Sequence, residues 1–316
     1  MIECRHDGPL HIVMNPGSGH EDGEDVRTLI DRLLTEAARA HEFFMIEDPA
    51  QIAQVAQRAV AAAVARSGVV VAVGGDGTLN AVAHEVLGSG VAFGVVPQGT
   101  YNYFGRANGI SQDTETAVAA LLNARPRPVQ VGRVNGRLFL VNASVGLYPK
   151  LLEQREVDKE KFGRSRWVAM WSGLRTLMRE PRLLRLQVES EQGKHEVRTP
   201  TIFVGNNVLQ LDQIGVSEAD AVTHNRGRLV AIVVRPVGTW AMLGLALRGA
   251  LGRLGAAENV DTFAFRRLSV DPVGHRRIKV ATDGEVLILP TPLTFEVATE
   301  PLMLMQPPLA ERAVVA

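Results

Sequence analysis

Gly74-Gly75-Asp76-Gly77-Thr78 follows a continuous apolar, valine-rich run at 69–73 and precedes a stretch with helical apolar spacing. A helix start offers free backbone N–H groups and the positive end of the helix dipole, which together favour a phosphate. The three glycines let such an anion approach the main chain closely. Asp76 would repel phosphate, so its useful role beside one is to hold Mg²⁺, or the ion's waters, against it. The same five residues would also serve as a tight strand-to-helix turn capped by Thr78. Two further loops favour the ligand reading: Asn15-Pro16-Gly17-Ser18-Gly19 follows the apolar run 11–14, and Pro97-Gln98-Gly99-Thr100-Tyr101-Asn102 follows the run 91–96. In a parallel sheet all three open at the carboxyl ends of the strands, where ligands bind in doubly wound folds. The constellation points to a metal nucleotide.

Other chemistries find less support. There is no GxxxxGK[ST] and no lysine before Lys150, so a P-loop lysine is excluded; phosphate charge falls to backbone amides, Mg²⁺ and Arg106. A GxGxxG with a downstream ribose-binding acid is missing too. The eight histidines show no HExxH or Cys/His pattern, and Ser18 lacks the GxSxG context of a hydrolase nucleophile. Late in the chain, Asp283-Gly284 lies between the strand-like stretches 278–281 and 286–289, which by itself reads as an ordinary hairpin turn.

These residues need a scaffold. Strand-like and helical stretches alternate through about residue 125, including a second strand at 41–46, an Asp48-Pro49 helix start and a helix over 113–123. That alternation predicts a doubly wound α/β domain. Arg125-Pro126-Arg127-Pro128 breaks the last helix and reads as a linker. Beyond it, Asn135-Gly136 signals a hairpin, and strand-like runs recur at 183–189, 195–204, 228–234, 261–270 and 276–297. The second half is therefore expected to be mainly antiparallel β, interrupted by helices within 158–178 and 239–254. The expected domains are residues 1–127, with a final strand about 293–306 returning to them, and residues 128–292.

Composition is that of a globular protein: 316 residues, 46% apolar, 22% charged and no net charge. A neutral chain has no global field for nucleic acid, which is not expected as a partner. A single cysteine, Cys4, suits a reducing compartment, and the charged N-terminal stretch lacks a signal-peptide core, so a cytoplasmic location is expected. The stretch 237–254 contains Arg248 and several glycines and makes a poor membrane span. Oligomeric state is left open, a homodimer included.

In order and spacing, NPGSG, GGDGTLN, PQGTYNYFGR and the late Asp283-Gly284-Glu285 resemble the diacylglycerol kinase catalytic family, which includes sphingosine kinases and bacterial lipid kinases. GGDGT alone is shared with NAD kinases; the combination is far more specific. The resemblance implies an N-terminal nucleotide domain, a C-terminal β-sandwich, and ATP phosphorylating a lipid hydroxyl in the cleft between them, a step of phospholipid metabolism. Asn15 to Gly19, Gly74 to Thr78, Thr100 and Asn102 would then contact ATP. Asp283 would accept the substrate's proton, and Glu285 with Asp76 would serve Mg²⁺. The chain departs from the family pattern in carrying Tyr103 where an aspartate is usual, Ala81 where a glutamate is usual, and no carboxylate at 223–227, so a second, structural metal is not expected. These departures motivate an alternative, a weak or inactive lipid- or nucleotide-binding homologue; NAD kinase is a further alternative.

A lipid substrate agrees with one more segment. Trp167, Met170, Trp171, Leu174, Leu177 and Met178 fall on one helical face amid Lys159, Lys161, Arg164, Arg166, Arg175 and Arg179. That composition suits transient contact with a membrane surface, although a core-facing helix would look the same. Trp240, Met242, Leu243, Leu245 and Leu247 would line an acyl groove or a plain core.

Overall fold

The computed structural model describes residues 7–18, 22–147, 149, 183–190, 193–213, 215, 227–238, 241, 244, 245, 248, 257–308 and 312. Expectations for Gly19, for 158–178, for 223–226 and for most of 239–254 lie outside these residues. The chain divides into two compact units, Met1–Val131 with Ala298–Ala316, and Gly132–Val297.

In the first unit, strands β1 (Leu10–Met14), β2 (His41–Met45), β3 (Val69–Gly74) and β4 (Ala92–Pro97) alternate with helices α1 (Gly23–Glu36), α2 (Ile52–Arg66), α3 (Asp76–Val86), α4 (Tyr103–Ala107) and α5 (Thr114–Asn123). β1, β3 and β4 are buried at every position, as parallel strands covered on both faces must be. Local chemistry sets the helix starts: Asp22 and Asp113 accept from the N–H groups of Glu24 and Thr116, and Asp48 caps a short 3₁₀ turn at Pro49–Gln51 that leads into α2. The sheet order is β2-β1-β3-β4-β18-β5, with β5 at Arg125–Val129 and β18 at Leu302–Gln306.

Two sequence expectations change here. Arg125 to Pro128 are not a linker; they form β5, paired antiparallel with β18. Prolines at 126 and 128 are tolerated because β5 is an edge strand, where alternate positions need no N–H donor. The strand that returns to the first unit is β18 alone, since Leu293–Val297 pairs within the second unit.

The second unit consists of two antiparallel sheets. One contains β6 (Gly132–Val134), β7 (Arg137–Phe139), β9 (Leu184–Ser190), β10 (Gly193–Thr199), β14 (Arg267–Pro272) and β17 (Leu293–Val297), in the order β10-β9-β14-β17-β6-β7. The other contains β8 (Asn142–Gly146), β11 (Thr201–Gly205), β12 (Leu229–Val234), β13 (Val260–Phe265), β15 (Arg277–Thr282) and β16 (Glu285–Pro290), in the order β13-β12-β11-β8-β15-β16. A short helix, α6 (Val208–Gln213), follows β11. Alternate residues of both sheets, among them Val134, Phe139, Val145, Ile202, Leu268 and Phe295, share one apolar core, the arrangement of a sandwich. Asn135 and Gly136 both have positive φ, 47° and 80°, as the two-residue hairpin turn between β6 and β7 requires.

Candidate active site

The three glycine-bearing turns of the first unit are joined by named bonds. Asn15, just past β1, donates from its amide to the Thr78 hydroxyl at 3.2 Å, and its backbone N–H reaches Val73 O at 3.1 Å. Its side-chain oxygen accepts from Gly17 N, and its carbonyl accepts from the Ser18 hydroxyl, so one residue shapes the whole first turn. Asp76 Oδ2 accepts the Asn102 N–H at 3.1 Å, tying the second turn to the third.

Close packing explains the glycines. A Cβ on Gly74 would lie 2.6 Å from Thr78 Cβ, and one on Gly99 would lie 2.9 Å from the Gly75 Cα. Gly75 precedes α3 in extended conformation and makes no side-chain cap, so the first N–H groups of α3 are left to other acceptors. A phosphate is the natural acceptor at such an end. Among the described residues no three carboxylate, histidine or cysteine side chains gather into a cage for an ion. Mg²⁺ brought in by a triphosphate needs only one or two carboxylates, and Asp76 at the start of α3 fits that role.

Among the residues expected to meet the nucleotide, Pro16, Gly17 and Thr100 are exposed, Thr78 is buried, and Gly75, Asp76 and Gly77 are half-buried. Asn102 is buried and committed to its own loop: its side chain accepts from Gly99 N at 2.9 Å and donates to Gly99 O at 2.7 Å. It therefore shapes the third turn, and its positive φ of 48° starts α4. A contribution that the motifs did not reveal is Gln98, which bonds Thr114 at 2.8 Å and anchors this turn to α5. Tyr101 and Tyr103 stack with ring centres 5.7 Å apart and planes within 1°. Burial raises the Tyr103 phenol above its ordinary pKa; Tyr101 and Asp76 add to that, against Arg106.

Asp283 and Glu285 lie in the second unit, where Asp283-Gly284 turns β15 into β16 with φ of 48° and 92°. The Asp283 carboxylate accepts three main-chain N–H groups, from Leu140 at 2.7 Å and from Val141 and Asn142 at 2.9 Å each. Sequence reading could not find these donors, because they lie about 140 residues upstream and carry no side-chain signature. Glu285 is raised above the ordinary carboxylate range, first by desolvation and then by the charge of Asp283.

Residues 9–134 match the family model described as the diacylglycerol kinase catalytic domain. A Pseudomonas aeruginosa protein named "Probable lipid kinase YegS-like" is 39% identical over 111 residues, 34% of this chain and 35% of that one. A Staphylococcus aureus diacylglycerol kinase is 34% identical over 144 residues, 43% of this chain and 42% of its own. The matched segments thus span about a third to two fifths of these relatives. A crystal structure of a Bacillus anthracis diacylglycerol kinase superposes with a TM-score of 0.68 at 18% identity, covering 95% of this chain and 97% of that one, and so shares the fold. Residues 9–134, which carry all three glycine-bearing turns, are thus similar to the diacylglycerol kinase catalytic domain.

Proposed function

We infer that the protein is an ATP-dependent lipid kinase. Mg-ATP lies with its phosphates on the glycine-lined start of α3, and the γ-phosphate passes to the hydroxyl of a diacylglycerol-like or sphingoid lipid. The hydroxyl oxygen forms the new P–O bond, the bond to ADP breaks, and Asp283 takes the hydroxyl proton. Asp76 and Glu285 serve the ion. Asn15, Gly17, Ser18, Gly74, Gly75, Gly77, Thr78 and Thr100 supply the nucleotide surface, with Asn102 holding its shape.

The observation that carries this reading is the bonding of Asn15 to Thr78 and of Asp76 to Asn102, which supports one preformed anion-binding edge. Such preorganisation is most of what phosphoryl transfer asks of a protein. No helix among the described residues is long and apolar enough to cross a membrane. Transient peripheral contact with a membrane, by an enzyme of the cytoplasm, is the proposed access to a lipid.

One observation favours a second reading, a binding homologue without turnover: three main-chain donors occupy the Asp283 carboxylate, as they would in a purely structural anchor. Incubation with Mg-ATP and a total lipid extract, followed by mass spectrometry, separates the two. The kinase yields a newly phosphorylated lipid; the binding homologue retains lipid or nucleotide and leaves every lipid class unchanged.

A further inference from the structure

Strand β8 sends Ala143 and Val145 into the inter-sheet core, which leaves Asn142 and Ser144 on the opposite face. Both are buried, Asn142 at 5% exposure and Ser144 at 0%. Their strand neighbours on that face are Gly205 beside Asn142, and Phe203 and Ala281 on either side of Ser144. Helix α6 rests on Gly205, where an added Cβ would come within 2.7 Å of Leu211 Cδ2. One residue before Leu211, Gln210 Oε1 accepts from Asn142 Nδ2 at 3.0 Å. In this arrangement the amide nitrogen of Asn142 is engaged and its oxygen is the remaining group.

Neither Asn142 Oδ1 nor Ser144 Oγ has a hydrogen-bond partner among the described residues. Buried oxygens in this condition are few in native proteins and are destabilising unless another group completes them. Here two occur on one face, beside an apolar surface of Leu211, Val230 and Ile232. The backbone N–H of the same Asn142 also holds the Asp283 carboxylate. Polar atoms awaiting partners therefore sit between an apolar surface and the group assigned to the reacting hydroxyl.

We propose that Asn142 Oδ1 and Ser144 Oγ recognise the headgroup of a lipid alcohol that carries a second O–H or N–H donor besides its reacting hydroxyl. The proposal rests on the lipid kinase reading and narrows its substrate. A diacylglycerol has one donor, the hydroxyl that Asp283 engages, and would leave Asn142 Oδ1 unmatched. A monoacylglycerol or a sphingoid base has another, which Asn142 Oδ1 accepts. Ser144 binds a neighbouring oxygen. The Cα atoms of residues two apart on a strand are separated by about 6.6 Å, a spacing that suits two neighbouring polar atoms of one headgroup.

The test compares monooctanoylglycerol, an eight-carbon sphingosine and dioctanoylglycerol in detergent micelles, using the full chain with Mg-ATP. At least one of the two donor-rich lipids should show a KM about fivefold to tenfold below that of dioctanoylglycerol, the worth of one hydrogen bond. Asn142→Ala should erase that preference. Ser144→Ala should raise the lipid KM, leave the ATP KM unchanged and leave Tm unchanged or higher, because its hydroxyl has no protein partner to lose. A preference for dioctanoylglycerol, or a Ser144→Ala variant with lower Tm and unchanged lipid KM, overturns the proposal. If no lipid is phosphorylated, the kinase reading fails by itself. Thermal shifts without nucleotide then decide: stronger stabilisation by a donor-rich lipid, lost in Asn142→Ala, supports the site, and equal shifts overturn it.

Discussion

Asn142 and Asp283 are bonded in both directions: the Asn142 N–H donates to the Asp283 carboxylate at 2.9 Å, and the Asp283 N–H donates to the Asn142 carbonyl at 3.0 Å. With Leu140 and Val141 also donating, three main-chain N–H groups hold the side chain assigned to proton transfer. Such a group is oriented before any substrate arrives.

Asp283→Asn turns one acceptor oxygen into an NH₂ that faces main-chain donors. Unfolding free energy should fall by about 2–4 kcal/mol, since hydrogen bonds to charged groups are the stronger ones. The rate of lipid phosphorylation should fall at least about 100-fold through loss of the base. Urea unfolding together with steady-state kinetics checks both. Unchanged stability would show that the three bonds are not made in solution.

Gly99→Ala tests the approach of the second and third turns. The new Cβ would meet Asn102 Oδ1 at 2.7 Å and the Gly75 Cα at 2.9 Å, and the latter contact cannot be relieved by a rotamer change. A stability loss of about 1–3 kcal/mol and a raised ATP KM are expected. Gly136→Ala, with open space around its Cβ, is the control for backbone effects alone and should leave the ATP KM as it was.

His11 predicts a pH effect far from the chemistry. It is fully buried on β1, neither ring nitrogen has a hydrogen-bond partner among the described residues, and Glu42 approaches only to 3.8 Å. Desolvation lowers its pKa below the ordinary 6.5, with Arg66 in the same direction and Glu42 opposing. The unfolded chain therefore takes up the proton first as pH falls. Stability should be full above about pH 6.5 and decline progressively below it. His11→Met should flatten Tm between pH 7 and pH 5; an unaltered slope would assign the effect elsewhere.

Glu285 should set the acid limb of activity. Desolvation and the Asp283 charge raise its pKa, so it becomes protonated, and useless to Mg²⁺, at a pH where ordinary carboxylates are still ionised. Activity should rise with pH through that titration. In Glu285→Gln this limb of the kcat/KM profile should vanish along with most of the activity, and its persistence would assign it to another group.

Much of this was legible in the sequence because it is local. The all-buried parallel strands, the Asp48 cap and the Asn135-Gly136 hairpin each follow from a few adjacent residues. The proline-rich 125–128 segment was misread because what makes it a strand is its partner β18, about 175 residues later. Likewise 293–297 is equally strand-like in either unit, and only pairing with β6 and β14 assigns it. At the site, the glycine turns announce themselves, whereas the Asn102 loop clamp and the main-chain donors to Asp283 depend on tertiary approach.

Transfer of a labelled γ-phosphate from Mg-ATP into extracted lipid tests the central claim most directly. The account predicts label in one lipid class, dependent on Mg²⁺ and reduced at least about 100-fold by Asp283→Asn. Label that never enters any lipid, or that appears instead in NADP when NAD is supplied, would contradict it.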